Sequence, residues 1–460
     1  MPEGLPALLK MMARPGHNGP LYFVVMRGWR AATGDTEFAL RYFSVAGGVL
    51  MAALTFRVGR KFGLGRGGAT VAVALIATSP YLVWYSQEAK MYTWLACLIL
   101  AAVYAFRSAL TAPKPARRWA AFAMASSLSF YTHILAPLML GVYLAWAALE
   151  WPRLKPRLRG WLAAMALLTL PYLPLAAWQF DLLRQGFDSG HPLYPLHRQA
   201  WLLLHFYSAG ILRHPYSPYL MGGTIVLALL GLLAPAALPG PARRAQLAVW
   251  LLIPATAAFL ISLRVTVFED RYLIYLAPPF YLLLATGIVA LSKRVRGAGL
   301  PALALLLAFN GWGIYRQANQ PIKADFRSAA AYIARSAAPA PPGLPPPPEQ
   351  TALPFKNYLP LVAAGGDAPP LIMFQMPYLQ RTFDYYFQQP FRPLQGAWTN
   401  DGRDPASVAA EMRRKTGAAA TLWLVVAEED YWDSRHLTRQ WLSEHAVLTG
   451  PAAVAVGIDD

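Results

Sequence analysis

The segment from Ser79 to Tyr92 (SPYLVWYSQEAKMY) places an acid, a cation, an amide and several aromatic residues within a few positions of each other. Its candidate functional residues are Tyr85, Gln87, Glu88, Lys90 and Tyr92. Glu88 is a candidate for acid–base catalysis, and the aromatic rings suit a sugar face and a membrane interface equally well. A structural interpretation is also open: Glu88 would complement a helix dipole, and the Lys90 side chain would extend to the membrane surface.

Three further positions could contribute to the same chemistry. Arg271, in the stretch FEDRY, opens an apolar segment, and its guanidinium could bind two oxygens of a phosphate. The alternative is an ordinary Arg–Asp pair at the start of a helix. His17, in the stretch HNGPLY, could pair with an anion or simply hydrogen-bond within a turn. His133, in the stretch YTH, would alone more often be structural than catalytic.

Several other kinds of site are not indicated by the sequence. It contains no Walker-type phosphate loop, no Gly-rich dinucleotide fingerprint and no HExxH zinc motif, so a nucleotide-driven pump is not expected. The single cysteine, Cys97, lies in an apolar run and cannot form an intramolecular disulfide. The net charge of +18 is concentrated in loops between apolar segments, so nucleic-acid binding is not predicted either.

Five short basic loops divide the first two thirds of the chain, and none of them contains Asp or Glu. Their basic residues are Arg57, Arg60, Lys61 and Arg66; Lys114, Arg117 and Arg118; Arg153, Lys155, Arg157 and Arg159; Arg243 and Arg244; and Lys293, Arg294 and Arg296. Between consecutive loops lies enough apolar sequence for two membrane crossings. Because cytoplasmic loops are enriched in Lys and Arg, this pattern predicts a polytopic α-helical membrane protein with these loops in the cytoplasm.

About ten segments are apolar enough to be crossings of this kind. They are residues 38–56, 68–85, 91–107, 119–132, 134–150, 160–178, 218–238, 246–263, 272–291 and 299–315. Alternating these crossings with the basic loops leaves residues 81–90, 179–217, 264–271, everything before 38 and everything after 316 on the outer face. Glu88, Arg271 and His17 are therefore predicted on the same side of the membrane.

The N-terminal region disturbs this topology. Residues 19–32 are apolar but short, and Arg27 and Arg30 interrupt them, so we predict an interfacial or re-entrant helix. A multispanning protein with an outer N-terminus usually has a preceding transmembrane helix. We therefore expect this chain to lack an N-terminal piece, and we assign residues 1–37 to the remnant of a first outer loop.

The composition changes after residue 316. We assign residues 38–316 to a membrane domain and residues 317–460 to an extracytoplasmic α/β domain with a Pro-rich segment at 339–348. Helices are predicted over 325–337, with Asp325 as N-cap, and over 405–415 and 433–444. Buried strands are predicted over 370–376 and 421–427.

Taken together, these motifs resemble the GT-C membrane glycosyltransferases, in the bacterial branch related to protein O-mannosyltransferases and lipid A aminoarabinose transferases. The stretches that carry the resemblance are HNGPLY from His17, GDTEFALR from Gly34, SPYLVWYSQEAKMY from Ser79, YTH ending at His133, and DRY from Asp270. The resemblance covers roughly residues 5–335 and is strongest over 17–107. The stretch around Glu88 is fairly specific, whereas the others are weak individually.

The resemblance implies a sugar transferase of the bacterial inner membrane, with a polyprenyl-phosphate-linked donor and a glycan, lipid or protein acceptor on the outer face. Arg271 and Lys90 would bind the donor phosphate, and Glu88 would be catalytic or would bind a divalent metal. The remaining candidates, Tyr85, Gln87, Tyr92, His17 and His133, would line the substrate cavity. No cofactor is firmly implied. Transfer would be direct, with inversion at the sugar carbon.

The chain also departs from the family. The family's catalytic Asp-Glu pair follows its first transmembrane helix, and the matching position would lie upstream of Met1, so the activity of this chain is an open question. Two other classes compete with an active transferase. A transporter or flippase of a lipid-linked substrate would also need many crossings, but it usually has charged or broken-helix sites near mid-membrane. A catalytically degenerate scaffold of the same fold is the third alternative.

Overall fold

The structure is a computed structural model, and it describes residues 18–185, 193–234, 241–320, 322–337, 359–361, 369–417, 422–427 and 429–446, together with residues 6 and 10. The chain divides into two compact units, Met1–Gln317 and Ala318–Asp460. The described part of the first unit contains only helices. The predicted Pro-rich segment at 339–348 and His17 lie outside the described residues.

The helices of the first unit follow one another with short connections. They are α1 (Leu21–Thr33), α2 (Glu37–Phe62), α3 (Arg66–Thr78), α4 (Pro80–Ser86), α5 (Tyr92–Ala109), α6 (Ala116–Thr132), α7 (Met139–Leu149), α8 (Trp151–Leu154), α9 (Leu158–Thr169), α10 (Leu173–Gln185), α11 (Leu196–Ala209), α12 (Ser217–Leu233), α13 (Pro241–Ser262), α14 (Ala277–Arg294) and α15 (Gly299–Asn319). Short 3-10 helices occur at Ala136–Leu138, Lys155–Arg157, Leu170–Tyr172 and Asp270–Leu276.

Each of the ten segments predicted as crossings overlaps a helix. Among the described residues, five helices are long and apolar enough to cross a membrane: Glu37–Phe62, Tyr92–Ala109, Trp151–Ala177, Ala242–Ser262 and Asp270–Arg294. A sixth crossing is formed if the bent pair α3–α4 counts as one span. The prediction of a polytopic helical membrane protein is confirmed, and the other predicted crossings are helices that are shorter or less apolar.

The bend between α3 and α4 has a local cause. Ser79 is extended (φ −61°, ψ 119°) and Pro80 follows it, so the helix cannot continue through this point. The Ser79 hydroxyl then caps α4 by accepting from the Leu82 N–H at 3.3 Å. The two helices meet at 60°, and α4 delivers the chain to the segment around Glu88.

A buried ionic network joins several of the predicted basic loops. Arg107, near the end of α5, donates to Glu150 at 2.6 Å and to Gln246 at 2.7 Å. Arg107 also donates to the Lys61 carbonyl, and Arg153 donates to Glu150 at 2.6 Å. Ends of α2, α5, α7 and α13 therefore meet at one place. Tyr92 lies at the opposite end of α5, roughly 22 Å away at 1.5 Å per residue.

The amphipathic segment predicted over 19–32 is helix α1. Its Trp29 indole donates to the Ala39 carbonyl at 2.8 Å, which ties α1 to the start of α2. Thr36 caps α2 by accepting from the Ala39 N–H at 3.2 Å. The region 179–217, predicted only as an outer loop, contains helix α11 and the end of α10. Its apolar residues are interleaved with prolines and polar residues, which made the helical pattern weak.

The second unit is an α/β domain around a four-stranded sheet. Its strands are β1 (Leu359–Leu361), β2 (Leu371–Phe374), β3 (Arg392–Gln395) and β4 (Leu422–Val425), in the order β1-β4-β2-β3. Strand β2 is parallel to β3 and β4, whereas β1 is antiparallel to β4. Its helices are α16 (Phe326–Ala337), α17 (Pro377–Tyr386), α18 (Pro405–Thr416), α19 (Asp430–Asp433) and α20 (Leu437–His445).

The predicted helices and strands of this unit are present with shifted ends, and the helix predicted over 433–444 begins only at Leu437. The predicted cap is also present. The Asp325 carboxylate accepts from the Ser328 N–H at 3.0 Å at the start of α16. Alternate residues of β2 pack on opposite faces of the sheet: Phe374 contacts the α17 side, and Met373 contacts the side that holds α18 and α20. Strands β1 and β3 were not predicted, because each is only three or four residues long and contains a proline.

Candidate functional site

The 3-10 segment Asp270–Leu276 carries the central candidate residue, Arg271. Two tyrosines of α4 fix the start of this segment. The Tyr81 hydroxyl donates to the Asp270 carbonyl at 3.0 Å, and the Tyr85 hydroxyl donates to Asp270 Oδ2 at 2.9 Å. Asp270 is buried, so these bonds supply partners that water cannot. The predicted substrate residue Tyr85 therefore has a positioning contact with the segment that carries Arg271.

The same segment is also fixed further along. The Tyr207 hydroxyl of α11 donates to the Leu273 carbonyl at 2.9 Å, and the Tyr275 hydroxyl donates to the Leu135 carbonyl at 3.0 Å. A 3-10 segment makes weaker internal hydrogen bonds than an α-helix, so these external bonds hold its shape. The bond from Tyr275 also connects it to the loop that follows α6.

Arg271 is partly exposed and pairs with its sequence neighbour Glu269. Arg271 Nη2 lies 3.5 Å from Glu269 Oε2, and the guanidinium lies 5.8 Å from the centre of the Tyr272 ring. Its Nε has no hydrogen-bond partner among the described residues. The ion pair of Arg271 is with Glu269 rather than Asp270, whose carboxylate accepts from Tyr85, so the structural alternative of a local ion pair stays open. Arg271 therefore retains donor capacity for an anionic ligand.

His133 lies in the loop between α6 and the 3-10 turn Ala136–Leu138, and its side chain is completely buried. Its Nδ1 accepts from the Leu135 N–H at 3.2 Å. The centre of its ring lies 4.9 Å from that of Tyr272 and 6.3 Å from that of Tyr92. The structure thus brings His133 and Tyr92, both predicted from the sequence, beside Arg271.

Glu88 lies in the turn between α4 and α5 and is partly buried. It lies one residue after Gln87, which is the C-terminal cap of α4, and four residues before Tyr92, which begins α5. The Tyr85 and Tyr92 rings are 5.5 Å apart and approach edge to face. Glu88 is therefore part of the same aromatic cluster as Arg271, as its sequence motif suggested.

Two residues of the same motif are more exposed. The side chains of Gln87 and Lys90 face solvent or lipid. The backbone of Lys90 is fixed, because its carbonyl accepts from the Ser44 hydroxyl of α2 at 2.9 Å. No described contact brings the Lys90 side chain to Arg271, so its role in binding a phosphate stays a prediction.

The N-terminal motif meets the YTH motif through its glycine. A Cβ added to Gly19 would lie 2.1 Å from the Tyr131 carbonyl oxygen, so the two backbones are in direct contact. Only glycine permits this approach. Tyr22, two residues after Pro20, is buried, and its ring lies 5.9 Å from that of Phe43 on α2. The stretch that follows His17 is therefore packed beside His133, although His17 itself is not described.

Other acids near the start of the chain have structural partners. Asp35 forms an ion pair with Arg30, whose hydrogen bonds hold the pKa of that carboxyl below its usual value. Glu37 lies 3.6 Å from Arg41 on the first turns of α2. Within the described ranges, no group of three or more His, Cys, Asp or Glu residues is arranged to hold a metal ion.

Sequence reasoning missed several residues of this cluster. Asp270, Tyr81 and Tyr272 contact or position Arg271, but only Arg271 was selected from the stretch FEDRY. The density of tyrosines before Glu88 was a usable signal. Their partner in the cluster, however, is about 185 residues away along the chain, and single-sequence spacing does not reveal such a contact.

Comparison with known proteins supports the fold. No protein-family profile matches the chain, and no curated protein matches it in sequence. Among solved structures, ArnT from Cupriavidus metallidurans bound to undecaprenyl phosphate superposes with a TM-score of 0.52 at 12% identity, covering 82% of this chain and 76% of that one. The apo oligosaccharyltransferase of Archaeoglobus fulgidus gives 0.53 at 13% identity, covering 92% of this chain and 63% of that one.

The crystal structure of the Archaeoglobus fulgidus oligosaccharyltransferase in complex with Zn and sulfate gives a TM-score of 0.50 at 16% identity over 82% of this chain. It is covered over 53% of its length, so this chain spans little more than half of that protein. At these identities the likeness concerns the fold. Together with the apolar helices, it shows that this chain is a multi-pass membrane protein with the GT-C fold, as its sequence motifs predict.

Proposed function

We propose that this protein transfers a sugar from a polyprenyl-phosphate donor to an acceptor on the outer face of the cytoplasmic membrane. The observation that carries the proposal is the position of Arg271. It lies on a turn held by external hydrogen bonds, beside buried aromatic rings, and it has N–H groups that can donate to a ligand. A partly exposed guanidinium in such a setting suits the phosphate of a membrane-embedded lipid. The bound undecaprenyl phosphate in the structurally similar ArnT supports the same ligand class.

The reaction is a direct displacement at the anomeric carbon of the sugar. The bond from that carbon to the donor phosphate oxygen breaks, and a bond to the acceptor oxygen or nitrogen forms, with inversion. Arg271 stabilises the negative charge that develops on the departing polyprenyl phosphate. Glu88, whose carboxylate borders the same cluster, takes the proton from the acceptor. The Tyr85 and Tyr92 rings enclose the sugar.

A divalent metal is a candidate cofactor, because a related structure contains Zn. Among the described residues, no group of three or more His, Cys, Asp or Glu side chains offers a recognisable ligand set. We therefore assign no step to a metal.

Sidedness follows from the basic loops. The ends of four helices meet in the network around Arg107 and Glu150, at the opposite end of α5 from Tyr92. If the basic loops are cytoplasmic, as their composition indicates, Arg271 and Glu88 lie on the outer face. We propose the same side for the second unit, which follows α15, and an inner-membrane location for the protein. A glycan, a lipid or a protein remains an equal candidate for the acceptor.

The first experiment measures binding of undecaprenyl phosphate to the purified full chain in nanodiscs, with undecaprenol as the phosphate-free control. Arg271→Gln should weaken binding of the phosphate by about tenfold or more, because a bond to a charged group is lost, and should leave undecaprenol unaffected. Equal affinity of the wild type for both lipids would refute a phosphate-linked donor.

The second experiment separates a transferase from a flippase. Membranes that contain the protein are supplied with a radiolabelled polyprenyl-phosphate sugar, and label in the acceptor fraction is measured. Glu88→Gln should retain binding of undecaprenyl phosphate and abolish transfer. Movement of labelled lipid across proteoliposomes without any transfer would favour the flippase instead.

A further inference from the structure

The imidazole of His133 has one nitrogen engaged and one unpartnered. Nδ1 accepts from the Leu135 N–H at 3.2 Å, whereas Nε2 has no hydrogen-bond partner among the described residues. The side chain is completely buried. Buried polar atoms normally have partners, so a donor or acceptor left open beside a candidate ligand site points to a group supplied from outside the chain.

The protonation of this ring follows from its contacts. Burial and the nearby Arg271 charge lower the pKa of His133 to about 3. The ring is therefore neutral at physiological pH. A neutral imidazole that accepts at Nδ1 carries its single proton on Nε2, so the open nitrogen is a hydrogen-bond donor.

The surroundings of Nε2 indicate what it can bind. The His133 ring packs on Tyr272 with 4.9 Å between centres, and the Arg271 guanidinium lies 5.8 Å from the centre of the same ring. Two groups that donate and do not accept thus border one aromatic side chain. A ligand that satisfies both donors must offer them acceptor oxygens, and a phosphate does so.

The two donors are also mechanically connected. The Leu135 N–H fixes His133 Nδ1, and the Leu135 carbonyl accepts from Tyr275 on the segment that carries Arg271. One residue therefore sets the relative placement of both groups. Such pre-organisation is what binding of a charged ligand requires, since neither donor then has to be ordered on binding.

We propose that His133 Nε2–H donates a hydrogen bond to a phosphate oxygen of the polyprenyl-phosphate donor, beside Arg271. This inference rests on the proposed function and deepens it. It assigns His133 as a neutral hydrogen-bond donor to the departing phosphate, in addition to the cation Arg271. The imidazole keeps its proton throughout and acts only as a hydrogen-bond donor to the charge that develops on the phosphate.

Two substitutions separate the two nitrogens. His133→Gln places an amide N–H near the position of Nε2 and lacks the Nδ1 acceptor. His133→Asn places an amide oxygen near Nδ1, keeps the bond from Leu135 and lacks the distal donor. Binding of undecaprenyl phosphate and of undecaprenol is measured for both variants in nanodiscs, together with their thermal unfolding midpoints.

His133→Asn should weaken binding of undecaprenyl phosphate by about tenfold or more and leave undecaprenol unchanged. His133→Gln should remain within about threefold of the wild type for both lipids, even where its unfolding midpoint is lower. The ratio between wild type and His133→Asn should stay constant from about pH 5.5 to 8.5, because a ring that is neutral throughout does not titrate there.

The outcomes distinguish the inference from the function on which it rests. If the wild type does not bind undecaprenyl phosphate, the proposed function fails. If Arg271→Gln weakens binding while His133→Asn binds like the wild type, only the role of His133 is refuted. A loss in both His133 variants that tracks their unfolding midpoints would show a purely structural histidine and would overturn the inference as well.

Discussion

Replacing Tyr85 by Phe tests whether the tyrosine contacts of the 3-10 segment position Arg271. The substitution removes one hydroxyl and leaves the ring in place. The lost bond is 2.9 Å long and ends on the carboxylate of Asp270, which is buried. The Tyr81 hydroxyl donates to the Asp270 carbonyl and also lies beside the carboxyl group of Asp270.

The size of the effect follows from the type of bond. Hydrogen bonds to charged groups contribute about 1.5–3 kcal/mol, and a buried oxygen left without its donor loses that amount in full. A loss of 1.4 kcal/mol corresponds to about tenfold in affinity. The bond is present with and without lipid, so its loss should lower the free energy of unfolding by about 1.5–3 kcal/mol. We expect the Kd for undecaprenyl phosphate to rise in Tyr85→Phe by at most about tenfold, the limit reached when the loss is expressed as displacement of Arg271.

The assay is lipid binding in nanodiscs, arranged as a double-mutant cycle with Asp270→Ala, which removes the acceptor. Because Tyr85 and Asp270 are in direct contact, the two effects should be coupled by about 1 kcal/mol or more. Tyr42→Phe, which removes an exposed hydroxyl from α2, is the matched control and should bind normally. Strict additivity in the cycle, or an unchanged Kd in Tyr85→Phe, would refute the idea that this bond positions Arg271.

Five further substitutions, two of them controls, probe the packing around the site and away from it. Gly19→Ala should destabilise the protein by more than about 1 kcal/mol and reduce lipid binding, because its Cβ would overlap the backbone of the YTH motif. The control Gly28→Ala meets no atom within 4 Å and should stabilise α1 slightly. Thermal unfolding compares the two variants. Glu150→Gln removes the charge that pairs with the buried Arg107, so the free energy of unfolding should fall by about 3–5 kcal/mol. Arg153→Ala, at the exposed end of the same network, should lower it by less than about 1 kcal/mol. Asp433→Asn should make the second unit more sensitive to protease. The Asp433 carboxylate accepts from the Gln375 amide and from two backbone N–H groups, whereas an Asn side chain has one accepting oxygen and an NH2 group that can only donate. Protease resistance equal to that of the wild type would contradict this prediction.

Much of the fold could be predicted because its signals are local. A run of apolar residues between acid-free basic loops identifies a membrane helix without knowledge of its neighbours. The same holds for Asp325, whose cap bond lies within three residues. The bend at Ser79 and Pro80 has an equally local cause, and it was missed only because the apolar run continues through it.

The site itself was only partly predictable. Arg271, Glu88 and His133 were selected as separate candidates by residue type and motif, and the structure brings them into one aromatic cluster. Their partners could not be found in this way. The bond from Tyr85 to Asp270 joins residues 185 positions apart, and the bond from Tyr275 to Leu135 joins residues 140 positions apart. Such contacts depend on how helices pack, which no spacing within one motif encodes.

The choice of a 3-10 segment for Arg271 has a physical consequence. An α-helix would fix a side chain through its own backbone bonds, whereas this segment depends on hydroxyls from α4 and α11 and on the loop after α6. Any ligand that draws on Arg271 is therefore coupled to the packing of three separate elements. The double-mutant cycle at Tyr85 and Asp270 measures the part of this coupling that runs through α4.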